Sequence, residues 1–475
     1  MSVFANLIDG EWVTADSVLI NINPSDTNDI IGEFAVASPA QVQQAAAAAR
    51  AAFPAWSRTT AQQRGDILTK AADELLARSA ELGRTLSREE GKTLPEGIGE
   101  VVRASQVMRF AAGEALRLKG EILPAVRPGV ELEVSREPLG IIGVITPWNF
   151  PIAIATWKIA YALAFGNCVL FKPAELTPAS AWELVDVLMR AGVPKGVVNL
   201  VMGHGAEIGP AIIDTVDAIS FTGSVNTGRS IAVQAINGMK RIQLEMGGKN
   251  PLIVLDDAEF DVAVDAAING SFFQTGQRCT ASSRLIVTEG IHDRFVAAMK
   301  EKMEGLVIDH ALKEGTQIGP VVDQKQMDRN FKYIEIGADE GATKFGGAPL
   351  KRETPGFYMA PVLFTETSND MRINREEIFG PVASVIRAKN YDEALEIAND
   401  TEFGLSSGIC TTSLKYARDF QRNSQSGLTM VNLATAGLDY HVPFGGRKGS
   451  SYGPREQGSY AAEFYTIVKT SYVSI

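Results

Sequence analysis

The stretch from Gly140 to Phe171, GIIGVITPWNFPIAIATWKIAYALAFGNCVLF, decides the fold class. It is apolar enough to suggest a membrane span, but prolines, asparagines and a glycine interrupt it before about 18 apolar residues accumulate. It instead predicts a buried strand at 140–145, a crossover helix around 154–165 and a second buried strand at 167–171. Parallel strands that are covered on both faces show such continuous apolar runs. The stretch therefore indicates a βαβ unit.

The same alternation of helices and strands continues to about residue 303. The predicted segments are a helix at 179–191, a strand at 197–201, a helix at 206–213, a strand at 217–221, a helix after Ser224, strands at 241–246 and 251–255, a helix at 261–273, a strand at 284–288 and a helix at 292–303. This order predicts a mostly parallel, doubly wound sheet. Because the pattern restarts after Gly247-Gly248, we predict a domain boundary there.

Other parts of the chain give weaker signals. Ser38-Pro39 has the chemistry of a helix N-cap before an alanine-rich helix, and 60–90 reads as one long amphipathic helix. Residues 121–137 and 464–475 alternate apolar with polar side chains, as exposed strands do. A pair of such strands is prone to further pairing unless another subunit covers it.

Composition excludes several classes of protein. The 475 residues include 45 basic and 56 acidic side chains, for a net charge of −11, which argues against broad nucleic-acid binding. Three cysteines cannot form a disulfide framework and fit a reducing compartment. The four histidines lack the spacing of metal ligands, and the first residues lack the pattern of a signal peptide. We expect a cytoplasmic protein without a metal site or a membrane span.

The three cysteines lie in different contexts. Cys168 and Cys410 fall within apolar strand segments and are expected to be buried, structural thiols. Cys279 follows a predicted helix in the polar segment QTGQRCTASS, beside Arg278. A neighbouring cation and local backbone amides could lower the pKa of this thiol and make it a nucleophile. An incidental loop cysteine is the alternative.

Carboxylates and glycines mark a ligand site at the strand ends. Glu245 emerges from a predicted strand before the double glycine, where open α/β sheets bind ligands; an edge glutamate paired with Lys249 is the alternative. The segment 221–224, FTGS, ends a strand and opens a helix whose amides could face a pyrophosphate, although a plain turn would look similar. Lys172 and Glu175 could bind ribose hydroxyls or form a solvated ion pair. The glycines of 203–209 fit a dinucleotide fingerprint poorly.

Seven motifs occur together in an order that resembles the aldehyde dehydrogenase superfamily. They are TPWNF at 146–150, FKPAE at 171–175, FTGS at 221–224, LEMGGKNP at 244–251, GQRC at 276–279, EEIFGP at 376–381 and PFGG at 443–446. The resemblance spans essentially the whole chain. It implies an α/β fold with a Rossmann-type cofactor domain, an α/β catalytic domain and a small β oligomerisation element.

The resemblance also implies how the chain is divided. Residues 1–116 and 138–247 would form the NAD-binding domain, and 248–455 the catalytic domain. The strands of 117–137 and 456–475 would join subunits. A homodimer or a homotetramer would result.

The catalytic residues implied by the resemblance are few. Cys279 would attack the aldehyde carbonyl, and Asn149 with the backbone amide of Cys279 would form the oxyanion hole. Glu245 would activate the water that hydrolyses the thioester. Glu456 would relay protons to Glu245.

The cofactor residues are carried over in the same way. They are Thr146, Pro147, Trp148, Lys172, Glu175, Gly223, Ser224, Met246, Glu377 and Phe379. Lys172 and Glu175 would hold the adenine-side ribose, Gly223 and Ser224 the pyrophosphate, and Glu377 the nicotinamide ribose. Because a carboxylate accepts from a 2′-hydroxyl and repels a 2′-phosphate, Glu175 favours NAD, with NADP as the alternative.

The expected substrate is an anionic semialdehyde. Succinate-type enzymes carry an arginine where this chain has Trp157, whereas EMGGKNP, GQRCTASSR and REQG look like α-ketoglutaric semialdehyde (2,5-dioxopentanoate) dehydrogenases. The keto-acid end would need a cation and hydroxyls. The candidate ligands are Arg109, Arg278, Ser282 and Ser283.

Four alternatives stay open at this level. They are succinate semialdehyde, a phosphorylated aldehyde, a CoA-acylating enzyme and a structural protein that has lost catalysis. The presence of Glu245 favours water over CoA as the acyl acceptor. The presence of Cys279, Asn149 and Glu245 together argues against loss of catalysis.

Overall fold

A computed structural model describes residues 3–474 of the chain. Its strands are β1 Val3–Phe4, β2 Asn6–Ile8, β3 Glu11–Val13, β4 Val18–Asn23, β5 Asp26–Ala35, β6 Glu121–Pro124, β7 Val130–Pro138, β8 Ile141–Ile145, β9 Cys168–Lys172, β10 Val198–Leu200, β11 Ala218–Thr222, β12 Arg241–Glu245, β13 Asn250–Val254, β14 Ser282–Thr288, β15 Thr343–Gly346, β16 Val362–Thr367, β17 Val382–Ala388, β18 Ser406–Cys410, β19 Leu428–Val431, β20 Ser451–Tyr452 and β21 Thr466–Ser474.

Helices alternate with these strands. They are α1 Pro39–Trp56, α2 Ala61–Ala77, α3 Ser79–Glu90, α4 Leu94–Arg117, α5 Ala153–Ala164, α6 Pro178–Ala191, α7 Gly205–Thr215, α8 Val225–Asn237, α9 Phe260–Phe272, α10 Glu289–Glu304, α11 Gln324–Asp339, α12 Arg372–Arg375, α13 Tyr391–Asn399, α14 Leu414–Asn423 and α15 Ala462–Tyr465. No helix within residues 3–474 is long and apolar enough to cross a membrane.

The first large sheet has eight strands in the order β20-β12-β11-β8-β9-β10-β2-β3. Its central strands, from β12 to β10, are parallel. Strands β8 and β9 and the connecting helix α5 are completely buried, as the apolar run from Gly140 to Phe171 predicts. This confirms the predicted βαβ unit.

The second large sheet has seven strands in the order β15-β16-β17-β14-β13-β18-β19, all parallel except β15. The chain passes from the first sheet to the second between Glu245 and Asn250, across the double glycine. It returns near its end, where β20 pairs antiparallel with β12. Residues 241–245 and 451–452 therefore lie side by side although they are far apart in sequence.

Two small sheets complete the fold. One contains β1, β5 and β4, and the other has the order β21-β7-β6. The second small sheet joins residues 121–138 to residues 466–474, the two regions whose alternation predicts exposed strands. Ile475 belongs to the predicted final strand but lies outside the described residues.

The helix predictions have mixed outcomes. Ser38 caps α1, and its side chain accepts from the Gln41 N–H in a capping box, as predicted. The single helix predicted at 60–90 is wrong, because the chain turns at Arg78 and forms α2 and α3 instead. The Arg78 side chain reaches Glu183 on α6, 2.9 Å away. The turn at Arg78 thus coincides with a tertiary contact that the local helical pattern does not show.

Candidate active site

A cleft at the carboxyl ends of the first sheet's strands gathers many of the predicted site residues. Those that line it are Pro147, Trp148, Asn149, Gly223, Ser224, Met246, Cys279, Glu377 and Phe379. The first six follow β8, β11 and β12, where open α/β sheets bind ligands. The other three come from the part of the chain that builds the second sheet. The cleft therefore joins the predicted nucleophile to the predicted cofactor residues.

Cys279 lies in a sharply turned segment after α9. Gln274, Thr275 and Gly276 have positive φ angles of 54°, 57° and 64°, so the backbone leaves the helix in an unusual conformation. The carbonyl oxygen of Cys279 accepts from Asn250 Nδ2 at 2.7 Å. A Cβ atom at Gly248 would lie 2.7 Å from the same oxygen. The cysteine backbone is thus fixed by the strand ends of the second sheet.

The Cys279 thiol is less acidic than the sequence suggests. Burial raises the pKa of Cys279 to about 12, the charges of Glu377 and Glu245 add to the rise, and the backbone N–H groups of Cys279 and Thr280 only partly oppose it. The expectation that neighbouring groups lower this pKa is wrong here. The Arg278 guanidinium donates to the carbonyl oxygens at the end of α9, and its charge interacts with Cys279 without offsetting the effect of burial.

Asn149 is held in place by its neighbours. Its Nδ2 donates to the Gln277 carbonyl oxygen at 2.9 Å, and its own carbonyl accepts from Lys92 Nζ at 2.8 Å. Lys92 is completely buried and also donates to Glu100 at 2.6 Å. The second hydrogen of the Asn149 amide remains for a ligand in the cleft. A fixed donor beside Cys279 is the geometry that an oxyanion requires.

Glu245 ends β12 and is buried. Its Oε2 accepts from Ser451 Oγ at 2.5 Å, and no ion pair joins it to Lys249 among the described residues. Burial raises the pKa of Glu245 to about 8; Glu456 adds to the rise, while Ser451, Lys158 and Arg455 lower it. A carboxylate with such a pKa can exchange protons near neutral pH.

Glu456 is completely buried and forms an ion pair with Lys158, which also donates to Ser220 Oγ at 2.9 Å. Its second oxygen, Oε2, has no hydrogen-bond partner. The described residues contain no hydrogen bond between Glu456 and Glu245. The relay predicted for this pair would therefore need a bridging group.

The FTGS turn lies at the start of α8, as predicted. Ser224 caps this helix, and its Oγ accepts from the Thr227 N–H at 3.3 Å. The Thr222 hydroxyl is buried without a partner, and Gly223 offers no side chain to block the cleft. Free amides at a helix start and an unpaired hydroxyl suit a pyrophosphate. A dinucleotide therefore fits the residues present.

Lys172 and Glu175 form an ion pair of 3.1 Å beyond the end of β9. Glu175 Oε1 also accepts from the Gly205 N–H at the start of α7, at 2.6 Å. Burial of the carboxylate opposes ionisation, but Lys172 and the Gly205 amide outweigh it and hold the pKa of Glu175 below its ordinary value. Both the ribose-binding and the ion-pair interpretations are compatible with this contact.

Glu377 and Phe379 line the opposite wall of the cleft. Glu377 Oε1 accepts from the Gly248 N–H at 2.9 Å, and burial raises the pKa of Glu377. Phe379 has a positive φ of 66° and packs edge-on against Trp148, with ring centroids 5.3 Å apart. Thr146, directly after β8, is buried; its N–H donates to the Lys172 carbonyl oxygen at 3.2 Å, and its hydroxyl has no partner.

The structure does not bring the predicted substrate ligands to the cleft. Arg109 lies on the exposed side of α4 and pairs with Asp73 at 2.6 Å. Arg278 and Ser283 line a separate small cavity. Ser282 is completely buried and shares a hydrogen bond of 2.7 Å with Thr435. None of the four lines the cleft that contains Cys279.

Sequence reasoning missed four residues around the site. Gln326 Nε2 donates to the Phe379 carbonyl at 3.1 Å, and Arg329 donates to the Glu377 carbonyl at 2.6 Å. Arg103 on α4 donates to the Leu438 and Asp439 carbonyls, and Ser451 contacts Glu245. No motif marks them, because each acts through a contact between distant segments. Within residues 3–474 no group of His, Cys, Asp and Glu could hold a metal ion.

Two mostly parallel sheets, and a cleft at their strand ends that is lined by a cysteine and an asparagine, are typical of α/β enzymes that bind a nucleotide. Residues 12–471 match the model of the Aldehyde dehydrogenase family. The chain belongs to this family and is an aldehyde dehydrogenase. The predicted family, fold class and enzyme class are thereby confirmed.

Curated relatives and solved structures resemble the chain over nearly its whole length. It is 41% identical to the alpha-ketoglutaric semialdehyde dehydrogenase of Bacillus subtilis (strain 168), covering 99% of this chain and 98% of the relative. It is 39% identical to the 2,5-dioxopentanoate dehydrogenase of Saccharolobus solfataricus, covering 99% of each. The betaine aldehyde dehydrogenase of Staphylococcus aureus, solved with NAD+, superimposes with a TM-score of 0.97 at 33% identity, covering 99% of this chain and 94% of that one.

Proposed function

We propose that the protein oxidises α-ketoglutaric semialdehyde to the corresponding dicarboxylic acid with NAD as the electron acceptor. The relatives that carry this activity in their names are 39–41% identical over 98% or more of both chains. The observation that carries the chemistry is that Cys279 and the clamped Asn149 line the same cleft.

The proposed reaction begins at Cys279. Its thiol releases its proton to water as the sulfur adds to the aldehyde carbon, and the Asn149 amide and the Cys279 N–H donate to the resulting oxyanion. With NAD held by the residues of the cleft, the hydride that leaves this carbon would pass to the nicotinamide, and a thioester would remain on Cys279. Glu245 then takes a proton from water as the water oxygen attacks the thioester carbon. The carbon–sulfur bond breaks, the acid leaves, and the proton taken by Glu245 returns to the sulfur to restore the Cys279 thiol.

We propose NAD rather than NADP because of Glu175. Its carboxylate is ionised beside Lys172, so it can accept from a ribose hydroxyl and would repel a phosphate at the same position. Lys172 is buried and is already paired, which leaves it little capacity to neutralise a second anion.

We further propose the division of the chain given by its sequence, with residues 117–137 and 456–475 joining subunits in a homodimer or homotetramer. The apolar side chains that the small sheet leaves exposed support this role, and Ile122 is 87% exposed. Three unpaired cysteines are compatible with a reducing, cytoplasmic setting.

We propose Arg103 in place of Arg109 as the cation for the keto-acid end, although it lies against residues 438–457 and not among the residues that line the cleft. It extends from α4 to residues 438–457 and donates to carbonyl oxygens and to Gln457 Oε1, at 3.3 Å. No carboxylate within residues 3–474 forms an ion pair with it, and Asp439 and Glu100 are the acidic groups whose charges act on it. Glu100, one turn earlier on α4, contacts the backbone of Ile152 and Ala153 just after Asn149.

Initial rates of NADH formation test the proposal. The substrates are α-ketoglutaric semialdehyde, succinate semialdehyde, a neutral aliphatic aldehyde and betaine aldehyde, each with NAD and with NADP. We expect the highest kcat/KM with the keto-acid semialdehyde and NAD. Equal rates with the neutral aldehyde, or a preference for the cationic betaine aldehyde, would overturn the substrate assignment and leave the family assignment intact.

A further inference from the structure

The carboxylate of Glu245 is confined on two sides. Its Oε2 accepts from Ser451 Oγ at 2.5 Å. Its Oε1 faces Gly445, where a Cβ atom would lie only 2.7 Å from that oxygen. Since Gly445 has a φ of 150°, the loop passes close to the carboxylate without a side chain between them. Ser451 is the one hydroxyl within residues 3–474 that donates to Glu245.

The direction of this hydrogen bond is fixed by the backbone. Ser451 Oγ accepts from the Gly446 N–H at 2.6 Å, so its own proton is free to point at Glu245. The serine also faces Glu245 directly across the antiparallel pair β12 and β20. Next to this pair the Met246 N–H donates to the Ser450 carbonyl at 2.8 Å. The hydroxyl is therefore held in place by main-chain contacts on both sides.

The other charged groups around Glu245 cannot replace this contact. Glu456 is negative and disfavours a second anion. Lys158 is committed to Glu456, and Arg455 donates to the Gly446 carbonyl. Cys279 faces the site as a thiol because its pKa is raised to about 12. Ser451 is the group that directly stabilises the ionised carboxylate against burial.

We propose that Ser451 is a positioning residue for thioester hydrolysis, which holds the Glu245 carboxylate ionised and in place to accept a proton from water. This inference rests on the proposed role of Glu245 as the base. Ser451 would thereby set the pH range in which the thioester is hydrolysed.

The test is the pH dependence of turnover in Ser451→Ala. Loss of a hydrogen bond to a charged group should move the acid limb of kcat upward by about one to two pH units. At pH values below the shifted limb, turnover should be roughly tenfold or more lower than in the unaltered protein, and it should recover at alkaline pH. The thioester on Cys279 should accumulate at neutral pH and be visible by mass spectrometry. The first-turnover burst of NADH should keep its amplitude, because Cys279 and the cofactor cleft are unchanged.

Three further variants make the result decisive. Ser451→Thr keeps the hydroxyl and should restore the original pH profile. Tyr452→Ala alters the neighbouring residue of β20, whose side chain is 60% exposed, and should behave like the unaltered protein. Glu245→Gln should stall after one turnover at every pH.

The outcomes separate the inference from the proposed function. Normal turnover in Glu245→Gln would remove Glu245 as the base and with it the proposed mechanism. If turnover stalls in Glu245→Gln but the acid limb of kcat does not shift in Ser451→Ala, the role of Ser451 is overturned and the role of Glu245 stands. A loss in Ser451→Ala that alkaline pH does not recover, or that the threonine variant shares, would also overturn it, because it would indicate a purely structural role.

Discussion

At the scale of single residues, the reaction depends on a few side chains whose acidity is set by burial. Burial raises the pKa of both Cys279 and Glu245, to about 12 and about 8. The thiol therefore rests protonated, whereas the carboxylate is poised near neutral pH. Sequence context alone suggests the opposite for Cys279, because Arg278 is its neighbour along the chain but points elsewhere.

Replacement of the nucleophile is the first residue-scale prediction. Cys279→Ala should abolish NADH formation, because no other sulfur can take its place: Cys168 and Cys410 are buried within strands. Binding of NAD, followed by quenching of tryptophan fluorescence, should persist because the cofactor contacts come from other residues. Measurable turnover in this variant would rule out the thioester route.

The second residue-scale prediction concerns Arg103. Arg103→Ala should lower kcat/KM for the keto-acid semialdehyde roughly 10- to 100-fold, the range expected when a charged hydrogen bond is lost. The neutral aldehyde should be affected by less than about twofold, because it lacks the anion that the guanidinium would bind. Steady-state kinetics with both substrates measures the difference.

Arg109→Ala is the matched control, since this arginine lies on the same helix but pairs with Asp73 at the surface. It should leave both substrates unaffected. If Arg103→Ala and Arg109→Ala gave equal losses with both aldehydes, a substrate-binding role for Arg103 would be excluded.

At the scale of elements, the site is assembled by close backbone contacts between strand ends. The segment between β12 and β13 runs directly beneath Cys279, and the Gly248 N–H donates to Glu377. Between α3 and α4 a similar contact occurs, where a Cβ at Gly83 would lie 2.7 Å from the Ile98 backbone. This contact lets α3 and α4 pack closely.

The element-scale prediction is a substitution in the double glycine. Gly248→Ala would place a Cβ atom 2.7 Å from the Cys279 carbonyl oxygen, which forces the nucleophile's backbone to move. Since small displacements of reacting groups are costly, kcat should fall about tenfold to a hundredfold. Steady-state rates and the rate of Cys279 alkylation would both report the displacement.

Gly99→Ala provides the control because a Cβ there, in the second turn of α4, meets no atom within 4 Å. It should keep full activity, and helix propensity should make the protein slightly more stable, by about 0.5–1 kcal/mol. Equal activity in the two variants would mean that the contact at Gly248 does not position Cys279.

At the scale of the whole molecule, the small sheet β21-β7-β6 is the part that a single chain leaves incomplete. Ile467 and Val468 are successive residues of β21, so their side chains point to opposite faces, yet they are 52% and 54% exposed. Neither face of this edge strand is therefore covered by the chain's own residues. Exposed apolar faces of this kind mark contacts with another subunit.

The prediction at this scale concerns assembly. Val468→Asp should reduce the mass of the particle in solution, measured by size-exclusion chromatography with light scattering, because a charge would be buried in the proposed contact. Leu414→Asp, on an exposed position of α14, should leave the mass unchanged. An unaltered mass in Val468→Asp would contradict the proposed role of the sheet.

The sequence by itself determined the elements and motifs. A continuous apolar run predicts a buried parallel strand without knowledge of the strands beside it. Because parallel strands end at the same edge of a sheet, the residues that follow β8, β11 and β12 could be predicted to lie close together. Cys279, Glu245 and Asn149 could be named for the same reason, since family motifs lie on contiguous residues.

Only the tertiary structure decided which distant residues meet. Ser451 reaches Glu245 because β20 returns to the first sheet, and Arg103 reaches residues 438–457 across more than 330 positions. The break at Arg78, the orientation of Arg278 and the acidity of Cys279 likewise depend on packing. Hydrogen-bond geometry and burial are properties of the folded chain, and local sequence does not encode them.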